Sequence, residues 1–170
     1  MSLIEHRKRG PETASIGVIT VSDTRTAETD KSGGIIKEIL LEDNHSLIAY
    51  SIVRDDETHI VEAFQEMAAD ENMDAIIING GTGLAKRDVT IEAISAFFEK
   101  DIVGFGELFR FLSYQEDIGS AAILSRAAAG TYNQKAVFII PGSTGAVKLA
   151  MKKLILPEIS HIIFELRKDK

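Results

Sequence analysis

Ala75-Ile76-Ile77-Ile78-Asn79-Gly80-Gly81-Thr82-Gly83 runs from an apolar stretch of strand composition into a glycine loop. Arg87-Asp88-Val89-Thr90 follows, ahead of a segment with helical spacing. Glycine lets the backbone turn sharply and lets a ligand come close to its N–H groups. A helix N-terminus just downstream adds partial positive charge and unpaired donors. The stretch therefore reads as a phosphate or oxyanion cradle at the carboxyl end of a parallel strand. A plain tight turn is the alternative reading.

Working outward, other stretches repeat the strand-then-helix pattern. Ser15 to Val21 is β-branched and mostly apolar, as in a strand covered on both faces, and it ends in Ser22-Asp23-Thr24-Arg25-Thr26. Those short polar side chains suit either a polar ligand or the loop's own backbone. Asp30-Lys31-Ser32-Gly33 opens a helix carrying Ile35, Ile36, Ile39 and Leu40, with Asp30 or Ser32 as N-cap and Asn44 as the stop. A second strand, Leu47 to Val53, leads through Arg54-Asp55-Asp56 into a helix with Ile60, Val61, Phe64, Met67 and Ala68 on its apolar face. Adjacent aspartates at such a boundary are commonly caps.

Past the Gly80 loop, Ile91, Ile94, Phe97 and Phe98 predict an amphipathic helix with Asp88 and Thr90 at its cap. Gly104 to Tyr114 is apolar nearly all round, which predicts deep burial or a subunit interface. Ile118 to Ala129 is alanine-rich and reads as a helix containing Ser125 and Arg126, broken by Gly130-Thr131. Lys135 to Ile140 reads as a further buried strand, ending in a second glycine turn at Pro141-Gly142-Ser143-Thr144-Gly145. A last helix carries Val147, Leu149, Ala150 and Leu154, with Pro157 interrupting or restarting it.

Strands alternating with helices imply an α/β fold, a mostly parallel sheet in a three-layer α/β/α sandwich. Such folds bind ligands beyond the carboxyl ends of the strands, near a topological switch point. Ser22-Asp23, Asp55-Asp56, the Gly80 loop and the Pro141 loop all follow strands, so a parallel sheet gathers them on one edge. With 170 residues and no linker or repeat, the expected organisation is a flexible polar tail over residues 1–13 and one domain over residues 14–170.

Composition narrows the function classes. A net charge of −7 argues against a broad nucleic-acid or anionic-membrane surface. The absence of cysteine excludes disulfides, thiolate metal sites and cysteine nucleophiles. Without a signal-like start or a membrane-spanning run, the expectation is a cytoplasmic protein with no membrane partner. The loop is not a P-loop, because Ala85 rather than glycine precedes Lys86, and Gly81-Thr82-Gly83-Leu84-Ala85-Lys86 does not complete a dinucleotide fingerprint. The histidines His6, His45, His59 and His161 lack metal-pair spacing, and no G-x-S-x-G elbow is present. What remains is carboxylates beside backbone-donor loops. Asp88 and the Asp55/Asp56 pair suit Mg²⁺, which commonly takes one or two carboxylates plus substrate phosphates, and hence phosphoryl or nucleotidyl transfer.

With those residues assembled, the sequence resembles the MoaB/Mog proteins of molybdenum-cofactor biosynthesis from about Ile16 onward. The resemblance rests on Thr20 to Arg25, Asn79 to Gly83 with Arg87 to Ala93, Gly104-Phe105-Gly106-Glu107, Ile123-Leu124-Ser125-Arg126 and Pro141-Gly142-Ser143, in that order. Leu112-Ser113-Tyr114 and Pro141 to Thr144 favour the MoaB branch. The resemblance implies a three-layer α/β domain that binds molybdopterin and assembles as a homotrimer or hexamer. Other enzymes of the pathway are implied partners, and Gly104 to Tyr114 is the candidate subunit contact. It further implies adenylylation of molybdopterin using Mg²⁺ and ATP; a molybdopterin carrier or pathway scaffold without chemistry is the other function the family allows. Carried over by position, Asp56 and Asp88 would be the catalytic and Mg²⁺-binding carboxylates, Asp56 being preferred to Asp55 for its spacing to the following helix. Gly80, Gly81, Thr82 and Gly83 would hold the pterin's phosphate. Ser22, Asp23, Ser113, Ser125, Pro141, Gly142 and Ser143 would complete the binding site.

Overall fold

A computed structural model describes residues 2–169; Met1 and Lys170 lie outside the described residues. Six strands form one sheet: β1 (Ser15–Val21), β2 (Ser46–Val53), β3 (Ala75–Asn79), β4 (Lys100–Asp101), β5 (Ala128–Tyr132) and β6 (Lys135–Ile140). Their order is β2-β1-β3-β6-β5-β4. The first four of these run parallel, while β5 and β4 continue the sheet antiparallel. The three-layer α/β architecture expected from the alternating pattern is thus present, with an antiparallel edge.

Side chains alternate across a strand, so each parallel strand feeds two cores. Ile16, Val18, Ala75, Ile77, Phe138 and Ile140 face one layer, made by α2 (Lys31–Glu42), α5 (Val103–Ser113), α6 (Thr144–Ala150) and α7 (Leu156–Arg167). Ile19, Val21, Ile76, Ile78, Val137 and Ile139 face the other, made by α3 (Glu57–Ala69) and α4 (Thr90–Ser95). Strands buried on both faces explain why their sequences read as continuous apolar runs rather than alternating ones.

Three segments depart from expectation. Ile118 to Ala129 is not a helix. Gly119 takes φ +58°, a tight 3₁₀ stretch covers Gly119–Leu124, and the chain then extends into β5. Helix propensity in the alanines gives way to pairing with β6, set by the two-residue turn Asn133-Gln134 with φ +47° and +58°. Helix α4 stops at Ser95, ahead of Phe97 and Phe98. The polar N-terminal stretch carries α1 (Leu3–Arg7), tied to α7 by the Arg7–Glu158 ion pair, and Ser160 Oγ donates to the Pro11 carbonyl at 2.7 Å. Pro157 starts α7 after one wide π turn, Met151–Ile155, as its lack of an N–H allows. Among the described residues no helix is long and apolar enough to cross a membrane.

Candidate phosphate-binding site

Strand β1 has β2 on one side and β3 on the other, so the chain reverses direction across the sheet between β1 and β3. That switch point is where a doubly wound fold opens a crevice. Val21-Ser22 and Asn79-Gly80 leave the sheet at it.

The base of the site is a buried polar network. Asn79 Nδ2 donates to Thr20 Oγ1 at 2.9 Å and to the Ile19 carbonyl at 3.3 Å, while its Oδ1 accepts from Ser32 Oγ at 2.7 Å. Asp30 caps α2 by accepting from Gly33 N, and takes further hydrogen bonds from Tyr50 Oη at 2.6 Å and Ser32 Oγ at 3.2 Å. Burial pushes the Asp30 carboxyl up. Hydrogen bonds from Thr20, Tyr50, Gly33 and Ser32 outweigh it and hold the group below its ordinary value. Asn79 is therefore fixed before the loop begins.

Glycine is required at the next two positions. Gly80 and Gly81 take φ +100° and +65°, a region L side chains rarely adopt. A Cβ on Gly80 would collide with the Val21 carbonyl, and one on Gly81 with Thr90 Oγ1. The loop's polar groups then divide by type. Every carbonyl from Gly80 to Thr82 is engaged by protein. Thr90 Oγ1 donates to Gly80 O at 2.9 Å, Thr90 N to Gly81 O at 3.0 Å, and Arg126 Nε to Thr82 O at 2.9 Å. Among the described residues, no N–H of Gly81, Thr82 or Gly83 donates to a protein acceptor. Backbone groups normally find partners, so three consecutive donors left over beside a cavity suit an anion.

That cavity, about 570 Å³, has the Gly80 loop, Ser22, Thr24, Arg25, Asp88 and Arg126 on its polar side, and Ile118, Ala121 and Leu124 on an apolar wall. Of the site residues expected from sequence, Ser22, Gly80, Gly81, Thr82, Gly83, Asp88, Ser125, Pro141 and Gly142 line it. Ser143 stands next to it as the N-cap of α6, accepting from Ala146 N at 3.3 Å. Ser113 does not line it; it is buried at the end of α5. Asp88 and Thr90, expected as caps of α4, serve the loop instead: Asp88 Oδ2 accepts from Ala85 N at 3.0 Å, and Val89 precedes α4 without a side-chain cap. A larger cavity of about 840 Å³ at the amino ends of β3 and β6 includes Asp74 and Arg167, which pair with each other.

The two adjacent aspartates have different surroundings. Asp56 is the N-cap of α3, accepts from His59 N at 3.2 Å and meets the His59 ring at 2.9 Å. Donation from His59 N and from the ring holds its carboxyl below the ordinary value. Asp55 instead turns back to the switch point. Its N–H donates to Asp23 Oδ1 at 3.0 Å, and its Oδ1 is buried against Gly81 with no hydrogen-bond partner. Burial pushes the Asp55 carboxyl up, the charges of Asp23 and Asp88 push it further, and Arg87 opposes them. The preference for Asp56 over Asp55 thus meets a contrary arrangement, because the cap has a local task and its neighbour carries the orphaned oxygen.

Two arginines stand in the stretches that carry the family resemblance, yet sequence reasoning assigned neither a role. Arg25 Nη2 donates to the Gly142 carbonyl at 3.1 Å and its Nη1 reaches Asp30 and Ser32, tying the β1 and β6 loops together. Arg126 holds Thr82 O and Asp88 O and pairs with Glu92. The contacts that join separate loops are not visible from local pattern, since Gly142 lies 117 residues from Arg25 and Thr82 lies 44 from Arg126.

Residues 17–161 match the family model described as a probable molybdopterin binding domain. The chain is 55% identical over 170 residues to Molybdenum cofactor biosynthesis protein B of Bacillus subtilis (strain 168), covering 100% of both chains. A crystal structure of Molybdenum cofactor biosynthesis protein B superposes with a TM-score of 0.91 at 56% identity, over 93% of this chain and 98% of that one. The tungsten cofactor synthesizing protein MoaB from Pyrococcus furiosus gives 0.82 at 39% identity, over 92% and 99%.

Proposed function

We propose that the chain, which belongs to the family of probable molybdopterin binding domains, acts in molybdenum-cofactor biosynthesis by binding molybdopterin at the Gly80 loop and adenylylating it with ATP and Mg²⁺. The observation that carries this reading is the division of the loop: its carbonyls are satisfied, while among the described residues the N–H groups of Gly81, Thr82 and Gly83 have no protein acceptor, and these residues line a cavity with Asp88, Asp55 being packed against Gly81.

The N–H groups of Gly81, Thr82 and Gly83 would take the terminal phosphate of molybdopterin, and the apolar wall of Ile118, Ala121 and Leu124 the flat ring system. Asp55 and Asp88 would hold Mg²⁺. Two carboxylates suit an ion that commonly completes its shell with substrate phosphate oxygens. When bound, the ion supplies charge neutralisation between the phosphates. In the reaction the molybdopterin phosphate attacks the α-phosphorus of ATP and pyrophosphate leaves. The chain's contribution is positioning, with fixed donors that need no reorganisation as charge develops.

The exposed apolar side chains of Val103, Leu108, Phe111, Tyr114, Ile123 and Leu124 support assembly of several copies through α5 and the turns after it. The deciding experiment is incubation with molybdopterin, ATP and Mg²⁺. Pyrophosphate release supports the adenylyltransferase; ligand binding without turnover replaces it with a carrier; neither leaves a scaffold and overturns the reading of the cradle.

A further inference from the structure

The donors of the Gly80 loop are usable only if something keeps its carbonyls turned away from the ligand. Two of the engaged carbonyls are held by Thr90, at the start of α4. The third is held from across the chain. Arg126 lies in the extended segment between Leu124 and Ala128, and it donates Nε to Thr82 O at 2.9 Å and Nη2 to Asp88 O at 3.3 Å. One planar guanidinium thus grips both ends of the 82–88 segment. The segment closes on itself between those ends, with Asp88 Oδ2 accepting from Ala85 N and packed against Gly83. In a trans peptide the C=O and the following N–H point in opposite directions. Fixing Thr82 O on Arg126 therefore turns the Gly83 N–H away from it, and fixing Asp88 O constrains the backbone that presents the Asp88 carboxylate.

The guanidinium is itself oriented from behind. Glu92, on α4 and outside the cavity lining, pairs with Nη1 and accepts from Nη2 at 3.3 Å. The rigid fork of arginine suits a role in which several acceptors must be met at fixed angles; a lysine ammonium keeps the charge but not the fork. We propose that Arg126 is the positioning residue of the cradle, held by Glu92, which sets the direction of the Gly83 donor and the placement of Asp88. The part of this concerning ligand affinity rests on the molybdopterin reading; the part concerning loop order does not.

The test uses the full chain with Arg126→Lys, Arg126→Met and Glu92→Gln. In ¹⁵N relaxation measurements without ligand, the Gly83 amide of the native protein should sit near an order parameter of ~0.85. In Arg126→Met and Arg126→Lys it should drop toward ~0.6, while Ile77 and Phe138 stay unchanged. Glu92→Gln should give a smaller drop. Molybdopterin affinity should fall about 10-fold or more in Arg126→Lys, the size of one lost charge-assisted hydrogen bond. Unchanged Gly83 order in Arg126→Lys overturns the proposal, as does an equal loss of order at Ile77 and Phe138, which would mark a merely structural role. If the native protein does not bind molybdopterin, the functional reading fails, and the relaxation data still decide whether Arg126 orders the loop.

Discussion

Replacing Asp55 by asparagine should remove the proposed adenylylation and raise stability together. Asp55 Oδ1 is buried without a partner, and its carboxylate stands near the charges of Asp23 and Asp88. Holding that partly buried charge beside two like charges costs about 1–3 kcal/mol, and a neutral amide in its place leaves an unpaired atom but not the charge. The other oxygen is in contact with water, which screens the repulsion, so the lower end of that range applies. Asp55→Asn removes the charge at nearly constant shape, and the expected gain is about 1 kcal/mol at neutral pH, or ~2–4 °C in Tm for a chain of this size. The pH dependence has a definite sign. Asp55 has its folded pKa raised above the unfolded value of about 3.9, so between the two the folded state binds more protons and stability falls as pH rises. The cost of the charge is complete above the folded pKa and disappears as pH drops below the unfolded one. Urea unfolding should therefore find the variant's advantage full at pH 7 and shrinking near pH 4, with pyrophosphate release abolished. A variant less stable than the native protein at pH 7, or one with an advantage that grows toward acid, refutes the reasoning.

Gly81→Ala places a Cβ at φ +65° against Thr90 Oγ1 and close to Asp55; a loss of about 2–3 kcal/mol is expected by urea unfolding, and a loss under 0.5 would contradict the required conformation. Asp30 is the opposite electrostatic case to Asp55. Its lowered pKa means its contribution is present above about pH 4 and lost as pH falls through the folded value, so Asp30→Asn should cost about 1 kcal/mol at pH 7 and progressively less as the pH is lowered below about 4. Phe111→Glu, on the exposed face of α5, should lower the sedimenting mass toward one chain while leaving the far-ultraviolet spectrum unchanged; an unaltered mass would move the subunit contact elsewhere.

Parallel strands were the most readable elements because burial on both faces writes a continuous apolar run, as in Ala75 to Ile78 and Lys135 to Ile140. The same signal fails for β5. Its Ala128-Ala129-Gly130 is small because the sheet is approached closely there: a Cβ on Gly130 would collide with the ring of Phe98. Small residues selected by close approach are also good helix formers, and only the Asn133-Gln134 turn marks the segment as half of a hairpin. For the cradle, the glycines were legible because positive φ demands them. Which loop atoms remain available was not, since that is decided by Thr90, Ile140 and Arg126 on three other segments.

The adjacent aspartates mark where local pattern could have gone further. Ile60, Phe64 and Met67 fix the apolar face of α3, and that register starts the helix at Glu57. A helix starting there needs its cap one residue earlier, at Asp56, and a capping carboxylate is already committed to the N–H groups of the first turn. Asp56 is committed in this way, to His59 N. Asp55 sits in the bend between the end of β2 at Val53 and that cap, where its N–H meets Asp23 and its carboxylate lies against Gly81. Spacing to the helix selects the better cap, and for that reason it selects against the carboxylate that has no structural partner.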